Sequence, residues 1–335
     1  MTKLNHIMYF KITNLNENHH RFQYRDGLNV LDKEFDDDPE SSCTEGGLYF
    51  TTKEFIHKFH NYGIYLRIVE LPVNDPEFRM VKDSEGDKWR ANKIILKERY
   101  LLDDTRTYDK FEIYQLGLIW ASVNGRPEIV KYVIGKGANV HVENDHALKW
   151  ASYHGHLEIV KLLVENGADV HAENDFALRW TPGNGHLEIV KLLIENGANI
   201  HAGNDCALRS ASNKGWLEIV KLLIENGANI HAAIDCTLRS ACNNGRLEIV
   251  KLLVEKGANI HAENDDALRR ASENGHLEIV KLLLEKGANI HANNDFALRC
   301  ASANNHSKIV KLLIEKGANI HVIGMNIKNW SCLRL

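Results

Sequence analysis

Between residues 145 and 174 the apolar positions fall into two short helical patterns separated by glycine. In the first, over residues 146–154, Ala147, Leu148, Ala151 and Ser152 share one face, and their small side chains allow a neighbouring helix to approach closely. Gly155 is placed to end that helix by taking a positive φ. In the second, over residues 157–166, Leu157, Ile159, Val160, Leu162, Leu163 and Val164 wrap most of the surface, and only Glu158, Lys161 and Glu165 form a polar stripe. Such a helix must be covered on more than one side, as in the middle of a stack. Gly167 stops it, and residues 168–172 read as an extended return. Asp145 precedes the first helix as an N-cap, its carboxylate accepting from exposed backbone N–H groups.

This pattern recurs with a period of 30, in copies that start at Asp145, Asp175, Asp205, Asp235, Asp265 and Asp295, with a looser copy from Gln115. Seven copies fill residues 115–324. One copy is too small to bury its own apolar face, so each leans on its neighbours. Departures from the frame are local. Pro182, in Trp180-Thr181-Pro182-Gly183, removes a helix donor and should bend or shorten the first helix of its copy. Pro127 sits at the start of a second helix, where proline is tolerated. In the last copy Ser307-Lys308 replaces the usual Leu-Glu, and residues 325–335 are expected to fold back as a cap with Trp330 over the apolar end.

Residues 1–110 carry no repeat and read as a small α+β domain. Strands are expected over residues 7–12, 48–51 and 64–71, the last closed by Pro72. Phe55, Phe59 and Tyr62 mark an amphipathic helix whose other face carries His57 and His60, read as surface histidines without a matching ligand nearby. Residues 78–81 and 94–96 flank a hairpin turn over residues 83–87. The acidic run of residues 32–40 reads as a solvated loop, lacking the glycine-punctuated spacing of a cation loop. Residues 101–110 link this domain to the array. No Ser/His/Asp set, phosphate-cradling glycine loop or metal-ligand spacing stands out, so no cofactor and no metal are expected.

Composition narrows the function classes. A formal net charge of −4 gives no whole-protein attraction to nucleic acid or an anionic membrane. No apolar run approaches the ~20 residues of a spanning helix, and the N-terminus lacks a signal-peptide apolar region. The six cysteines contain no Cys-x-x-Cys pair. Cys206 and Cys236 share a slot in adjacent copies, too far apart at the ~8–10 Å of stacked helices for a disulfide. Free thiols in a reducing interior follow, hence a soluble intracellular chain.

Three ladders run along the array. Lys149, Arg179, Arg209, Arg239, Arg269 and Arg299 each have an Asp four residues before them, and the first copy loses both members together, as Gln115 and Ile119. Intrahelical ion pairs, worth only ~0.3–0.5 kcal/mol each, account for that better than a track for an acidic partner or phosphates. His141, His171, His201, His231, His261, His291 and His321 form the second ladder, read as hydrogen-bonded braces of the loops. Should these rings be buried and neutral, stability would drop near pH ~5–6. Trp120, Trp150 and Trp180 share the third slot, where two roles fit: packing between copies, or an aromatic anchor patch with Tyr153 and Phe176. His146, Phe176, Cys206, Cys236, Asp266 and Phe296 fill a slot read as exposed, with the varied chemistry of a recognition surface.

Gly155-His156-Leu157-Glu158-Ile159-Val160-Lys161-Leu162-Leu163 followed by Gly167-Ala168-Asp169-Val170 resembles the ankyrin repeat. That family's period is ~33 with Thr-Pro-Leu-His, whereas here it is 30 with Ala147-Leu148-Lys149 in that place. The missing residues fall between Ala172 and Leu178, where the family projects its β-hairpin, so the fingers should be blunt. This shortened period is similar to the ankyrin proteins of giant, mimivirus-like DNA viruses. Residues 46–51 (Gly-Gly-Leu-Tyr-Phe-Thr), Tyr62-Gly63 and residues 88–96 look like that group's leader domain. The implied fold is mainly α: an ankyrin-repeat solenoid over residues 115–324, preceded by the small α+β domain and followed by a cap or tail.

The resemblance implies a monomeric scaffold that binds a partner protein, a host protein in the host cytoplasm if the chain is viral. The partner would lie along the face of first helices and turns, with no catalysis by the array. Contacts are expected at His146, Trp150, Tyr153, Phe176 and Trp180, with Arg209, Arg239 and Arg270 as polar partners. Wider ankyrin families recruit substrates through an added F-box, and none is evident here. Two other readings stand beside this one. Gly-Leu-Tyr-Phe-Thr before a helix is similar to the strand–helix step of ADP-ribosyltransferases, although no His, Tyr and Glu set can be assigned; the array would then recruit substrate. A structural virion component is the other.

Overall fold

The computed structural model describes residues 7–19, 21–41 and 45–323; the expected cap over residues 325–335, Cys43 and Cys332 lie outside these. Two compact units emerge. One runs to Ala151 and takes in Glu158–Asp169; the other holds Ser152–Leu157 and resumes at Val170. No helix among the described residues is long and apolar enough to cross a membrane.

The first unit begins with strands β1 (Tyr9–Thr13), β2 (Asn18–His19), β3 (Phe22–Gln23), β4 (Gly27–Val30) and β5 (Leu48–Thr52). A 3-10 helix (Ile56–Tyr62) follows, then β6 (Tyr65–Glu70), β7 (Met80–Lys82), β8 (Trp89–Ala91) and β9 (Lys93–Leu101). Seven strands form one antiparallel sheet in the order β4-β9-β6-β1-β5-β8-β7, and β2 pairs with β3 apart from it. Its core gathers Tyr9, Tyr24, Leu48, Phe50, Val69, Ala91, Ile94 and Leu96.

Two expectations for this region are corrected. The turn of residues 83–87 does follow β7, but its partner is β8, with Val81 opposite Arg90; Ile94 belongs to β9, which pairs with β4 and β6. The turn is too tight to reach further, because Asp83 N–H already donates to Lys88 O at 3.1 Å and Gly86 N–H to Asp83 O at 2.9 Å. The linking segment is not a plain link: it carries helix α1 (Thr105–Phe111), capped by Asp104, whose carboxylate accepts from Arg106 N–H. Burial of Tyr108 and Phe111 holds that helix down.

Helices α2 (Tyr114–Asn124), α3 (Pro127–Gly135), α4 (Val142–His154) and α5 (Leu157–Glu165) begin the repeats, with Pro127 in the first turn of α3 as expected. The array continues through α6 (Ala172–Trp180), α7 (Leu187–Glu195), α8 (Ala202–Lys214), α9 (Leu217–Glu225) and α10 (Ala232–Asn243). It ends with α11 (Leu247–Glu255), α12 (Ala262–Glu273), α13 (Leu277–Glu285), α14 (Ala292–Ala303) and α15 (Ser307–Glu315). Within the second unit, consecutive first helices α6, α8, α10, α12 and α14 pack side by side. Each second helix buries its Ile, Val and central Leu, as at Ile219, Val220 and Leu223. Pro182 acts as expected: α6 stops at Trp180 and gives way to a 3-10 turn, Thr181–Asn184.

Where the family's hairpin would project, no strand forms among residues 115–323. The chain instead makes one left-handed turn per copy, at residues 143–145, 173–175, 203–205, 233–235, 263–265 and 293–295, with φ between 49° and 63°. Left-handed backbone costs an L-residue roughly 1–2 kcal/mol, least for Asn, Asp and Gly. The second position is Asn in five copies and Ile234 in the other, so the composition relieves most of that strain.

Candidate partner-binding surface

The left-handed turn decides what the polar ladders do. Each Asp of the ladder sits in it, buried, with its Oδ1 turned toward the following loop. Asp205 Oδ1 accepts the Asn229 N–H at 2.7 Å and faces His201 Nδ1 at 3.0 Å. The same pair of contacts holds Asp145, Asp175, Asp235, Asp265 and Asp295, always to the backbone N–H 24 residues on and the His four residues back. The Asn two residues before six of the seven histidines adds a bond, as Asn199 Oδ1 accepts His201 N–H at 3.0 Å; before His171 that residue is Asp169.

Asp is therefore neither an N-cap of its own helix nor the partner of the basic ladder. An N-cap needs extended backbone, and Asp205 has φ 53°. The basic side chains reach back to carbonyls of the left-handed turn: Arg209 donates to Gly203 O at 2.9 Å, Arg239 to Ala233 O at 3.3 Å, Arg299 to Asn293 O at 2.9 Å and Lys149 to Glu143 O at 3.2 Å. The histidine braces are as expected, but their side chains are 53–60% exposed from His141 to His291, so the burial on which the acid sensitivity depended is not met.

A further ladder escaped the sequence reading. In the second unit the residue before each second helix lies flat on the left-handed glycine of the preceding copy. A Cβ at Gly155, Gly185, Gly215, Gly245 or Gly275 would lie 2.4–2.9 Å from His186, Trp216, Arg246, His276 or His306 respectively. Each of the last four also reaches a carbonyl 33 residues earlier: Trp216 Nε1–H to Gly183 O at 3.2 Å, Arg246 Nε–H to Asn213 O at 3.2 Å, and His276 and His306 Nε2 to Asn243 O and Glu273 O at 3.0 and 2.9 Å. The available signal was a planar, N–H-bearing residue after glycine in every copy but the last, where His306 follows Asn305.

The expected contact residues fall into separate groups. In the first unit His146 and Trp150 are half-buried, with ring centroids 5.9 Å apart, and His146 meets His60 edge-on at 5.0 Å. His57 and His60 are thus not surface histidines. Glu143 approaches His57 Nε2 at 3.1 Å, the His57 side chain is 12% exposed, and burial lowers the pKa of His60. Trp120 is packed away, its indole N–H donating to Gly63 O at 3.0 Å.

In the second unit Phe176 and Trp180 pair at 6.1 Å, and Trp180 is 43% exposed. Tyr153 is half-buried with its ring against His154. Arg239 and Arg270 converge on Asp266, at 3.2 and 2.6 Å, and Arg269 joins them at 2.8 Å. Asp266 is accordingly buried rather than exposed, and the other members of its slot are half-buried. Burial pushes its carboxyl up, but hydrogen bonds from Arg270 and Arg269 outweigh that and hold it below its ordinary value. Arg269 and Arg299 also lie over the Phe296 ring, at 5.6 and 4.6 Å. Arg209, Arg239 and Arg270 therefore offer a partner only what these bonds leave over.

The first unit has a cleft lined by Phe10, Tyr49, Ile56, Phe59, Tyr62 and His19. It supplies His and Tyr but no Glu among its lining residues.

Residues 95–174, 171–234 and 238–323 match the family described as ankyrin repeats (3 copies). An ankyrin repeat protein of Acanthamoeba polyphaga mimivirus is 46% identical over 140 residues, which span 40% of this chain and 70% of that protein. Another from the same virus is 39% identical over 144 residues, 41% of this chain and 43% of that protein. The crystal structure of the human ASB11 ankyrin repeat domain superposes with a TM-score of 0.52 at 27% identity, covering 60% of this chain and 98% of that one.

Proposed function

The chain belongs to the ankyrin-repeat family, whose repeats are protein–protein interaction modules, and on that premise we propose that it is a non-enzymatic scaffold for a partner protein. One observation carries the reading. The frame of turns, glycines and second helices repeats almost unchanged, while the slots on the first helices change chemistry from copy to copy: Phe176, Cys206, Cys236, Asp266, Phe296 in one, and Trp180, Ser210, Ser240, Arg270, Cys300 in another. Variation concentrated on one side of an otherwise repeated frame is what selection for a partner leaves. Phe176 and the exposed Trp180 are the anchors in the second unit, with Tyr153 as a further contact, since aromatic side chains dominate interface energetics. His146 and Trp150 serve in the first unit. Arg209, Arg239 and Arg270 position polar groups of the partner at the rim. The chain acts as a monomer in the host cytoplasm.

The test uses the full chain, immobilised, and a lysate of Acanthamoeba. Wild type and Glu195→Ala, a change on the exposed side of α7, should retain the same specific protein. Phe176→Ala/Trp180→Ala should retain at least ~10-fold less at an unchanged melting temperature. Equal retention by all three chains would remove the first-helix face from consideration.

A further inference from the structure

We infer that the turn between β7 and β8 is a binding site for a hard divalent cation, Ca2+ by its carboxylate count, held by the carboxylates of Asp83, Glu85 and Asp87. One ligand oxygen from each of the three lies within 4.8 Å of the others. An all-oxygen, all-carboxylate donor set suits Mg2+, Ca2+ or Mn2+ rather than a softer metal. Ca2+ is commonly held by several carboxylates in a flexible shell, whereas Mg2+ keeps more of its water and usually takes one or two carboxylates. Three convergent carboxylates fit the former.

The cluster alone would be an ordinary acidic turn. What points to a ligand is the state of two of its oxygens. Asp83 Oδ2 and Asp87 Oδ1 are shut off from solvent and accept no hydrogen bond, and the two residues are only 7% and 6% exposed. A buried carboxylate oxygen without a donor is costly, and native folds rarely leave one. The other oxygens are engaged: Asp83 Oδ1 accepts Glu85 N–H at 3.1 Å, and Asp87 Oδ2 lies 3.3 Å from Lys58 Nζ. The nearest charge to Asp83 Oδ2 is Lys88 Nζ, at 3.6 Å, too long for a hydrogen bond. Three carboxylates thus share the turn with Lys58, Lys88 and Lys82, whose Nζ would lie 3.6 Å from a Cβ at Gly86, so it is the orphaned oxygens rather than net charge that a cation would answer.

A cation there would satisfy both oxygens, recruit the exposed Glu85 and complete its shell with water. Three protein ligands with lysines nearby place the affinity in the weak range, Kd ~10⁻⁴–10⁻³ M. Occupancy would pin the hairpin at the β7 edge of the sheet, next to Thr51, whose hydroxyl donates to Asp87 O.

The full chain, freed of metal with a chelator, is titrated with CaCl2 by calorimetry and melted with and without 10 mM CaCl2 at constant ionic strength. A Kd in the stated range and a rise of roughly 3–10 °C in the first unit's transition are expected. Glu85→Gln, an exposed change that does not threaten folding, should weaken binding several-fold. Asp87→Asn, checked for native circular dichroism, should abolish the shift. Tb3+ luminescence excited through Trp89 should appear with wild type and be competed away by Ca2+. No heat, no melting shift and no luminescence would overturn the site. Equal shifts in Glu85→Gln and Asp87→Asn would do so too, by showing bulk screening. Equal affinity for MgCl2 would overturn the assignment to Ca2+.

Discussion

Replacing Asp205 by Ala removes one acceptor and strands two donors. The Asn229 N–H is held at 2.7 Å by the buried carboxylate of Asp205, in a part-buried bond. A buried N–H left unpaired costs ~1–3 kcal/mol, and bonds to a charged acceptor sit in the upper part of that range. The His201 ring is 58% exposed, so water replaces most of what it loses, and its share is at most ~0.5 kcal/mol. A loss of about 2–3 kcal/mol follows for Asp205→Ala, against about 1 kcal/mol for Asp205→Asn, which keeps an acceptor for the amide. In a unit of this size that is roughly 5–10 °C in the second unit's transition. Thermal melts of the full chain followed by circular dichroism read it. A double-mutant cycle then separates the two candidate partners. Asp205 and His201 should couple by close to ~0.5 kcal/mol, whereas Asp205 and Arg209 share no bond and should add within ~0.3 kcal/mol. Stronger coupling to Arg209, or a loss under ~0.5 kcal/mol for Asp205→Ala, would refute the assignment.

Other expectations follow from single features. Gly185→Ala places a Cβ 2.6 Å from the Trp216 ring at φ +85°, and should cost ~2–3 kcal/mol with a red shift of Trp216 emission; an unshifted spectrum at native stability would contradict the stacking. Ile234→Asn relieves a β-branched residue at φ 57° that is 60% exposed, and should gain ~0.5–1 kcal/mol by urea melt; a loss would mean that Ile234 packs usefully there. Burial pulls the Lys11 ammonium from 10.5 down to about 7 against the opposing pull of Glu17. Between those values the unfolded chain holds a proton that the folded chain does not, so stability rises with pH across the window, by up to ~1.4 kcal/mol per pH unit. Lys11→Met should flatten that rise between pH 7.5 and 9, and parallel melting profiles for the two chains would count against it.

The period, the stopping glycines and the effects of Pro127 and Pro182 were legible because each is a local rule that reads the same in any context. The pairing of Asp205 was not. It has a histidine four residues before it and an arginine four residues after it, and spacing alone treats them alike. The handedness of residues 203–205 breaks the tie, and three consecutive left-handed residues are not something that propensity suggests. The planar ladder was hidden for a different reason. His186, Trp216, Arg246 and His276 share no hydropathy or charge class, only a flat face with an N–H on it. The three carboxylates of the β7–β8 turn were visible as letters but read as turn formers. Only the depth at which Asp83 and Asp87 are held sets them apart from the solvated acids of residues 32–40.

The repeated bonds of the second unit span 24 residues within a copy through the aspartates, and tie one copy to the next over 31 residues through Asn184, Asn244 and Asn274 and over 33 through the planar ladder. None of these reaches past the adjoining copy. Excising or duplicating a whole 30-residue block would therefore hand each donor of the repeated bonds to backbone an equivalent acceptor, whereas the Arg239–Asp266 bond is particular to its two copies. The number of copies is then free to drift by recombination between near-identical stretches, and the gripping surface can be lengthened or trimmed with few contacts redesigned.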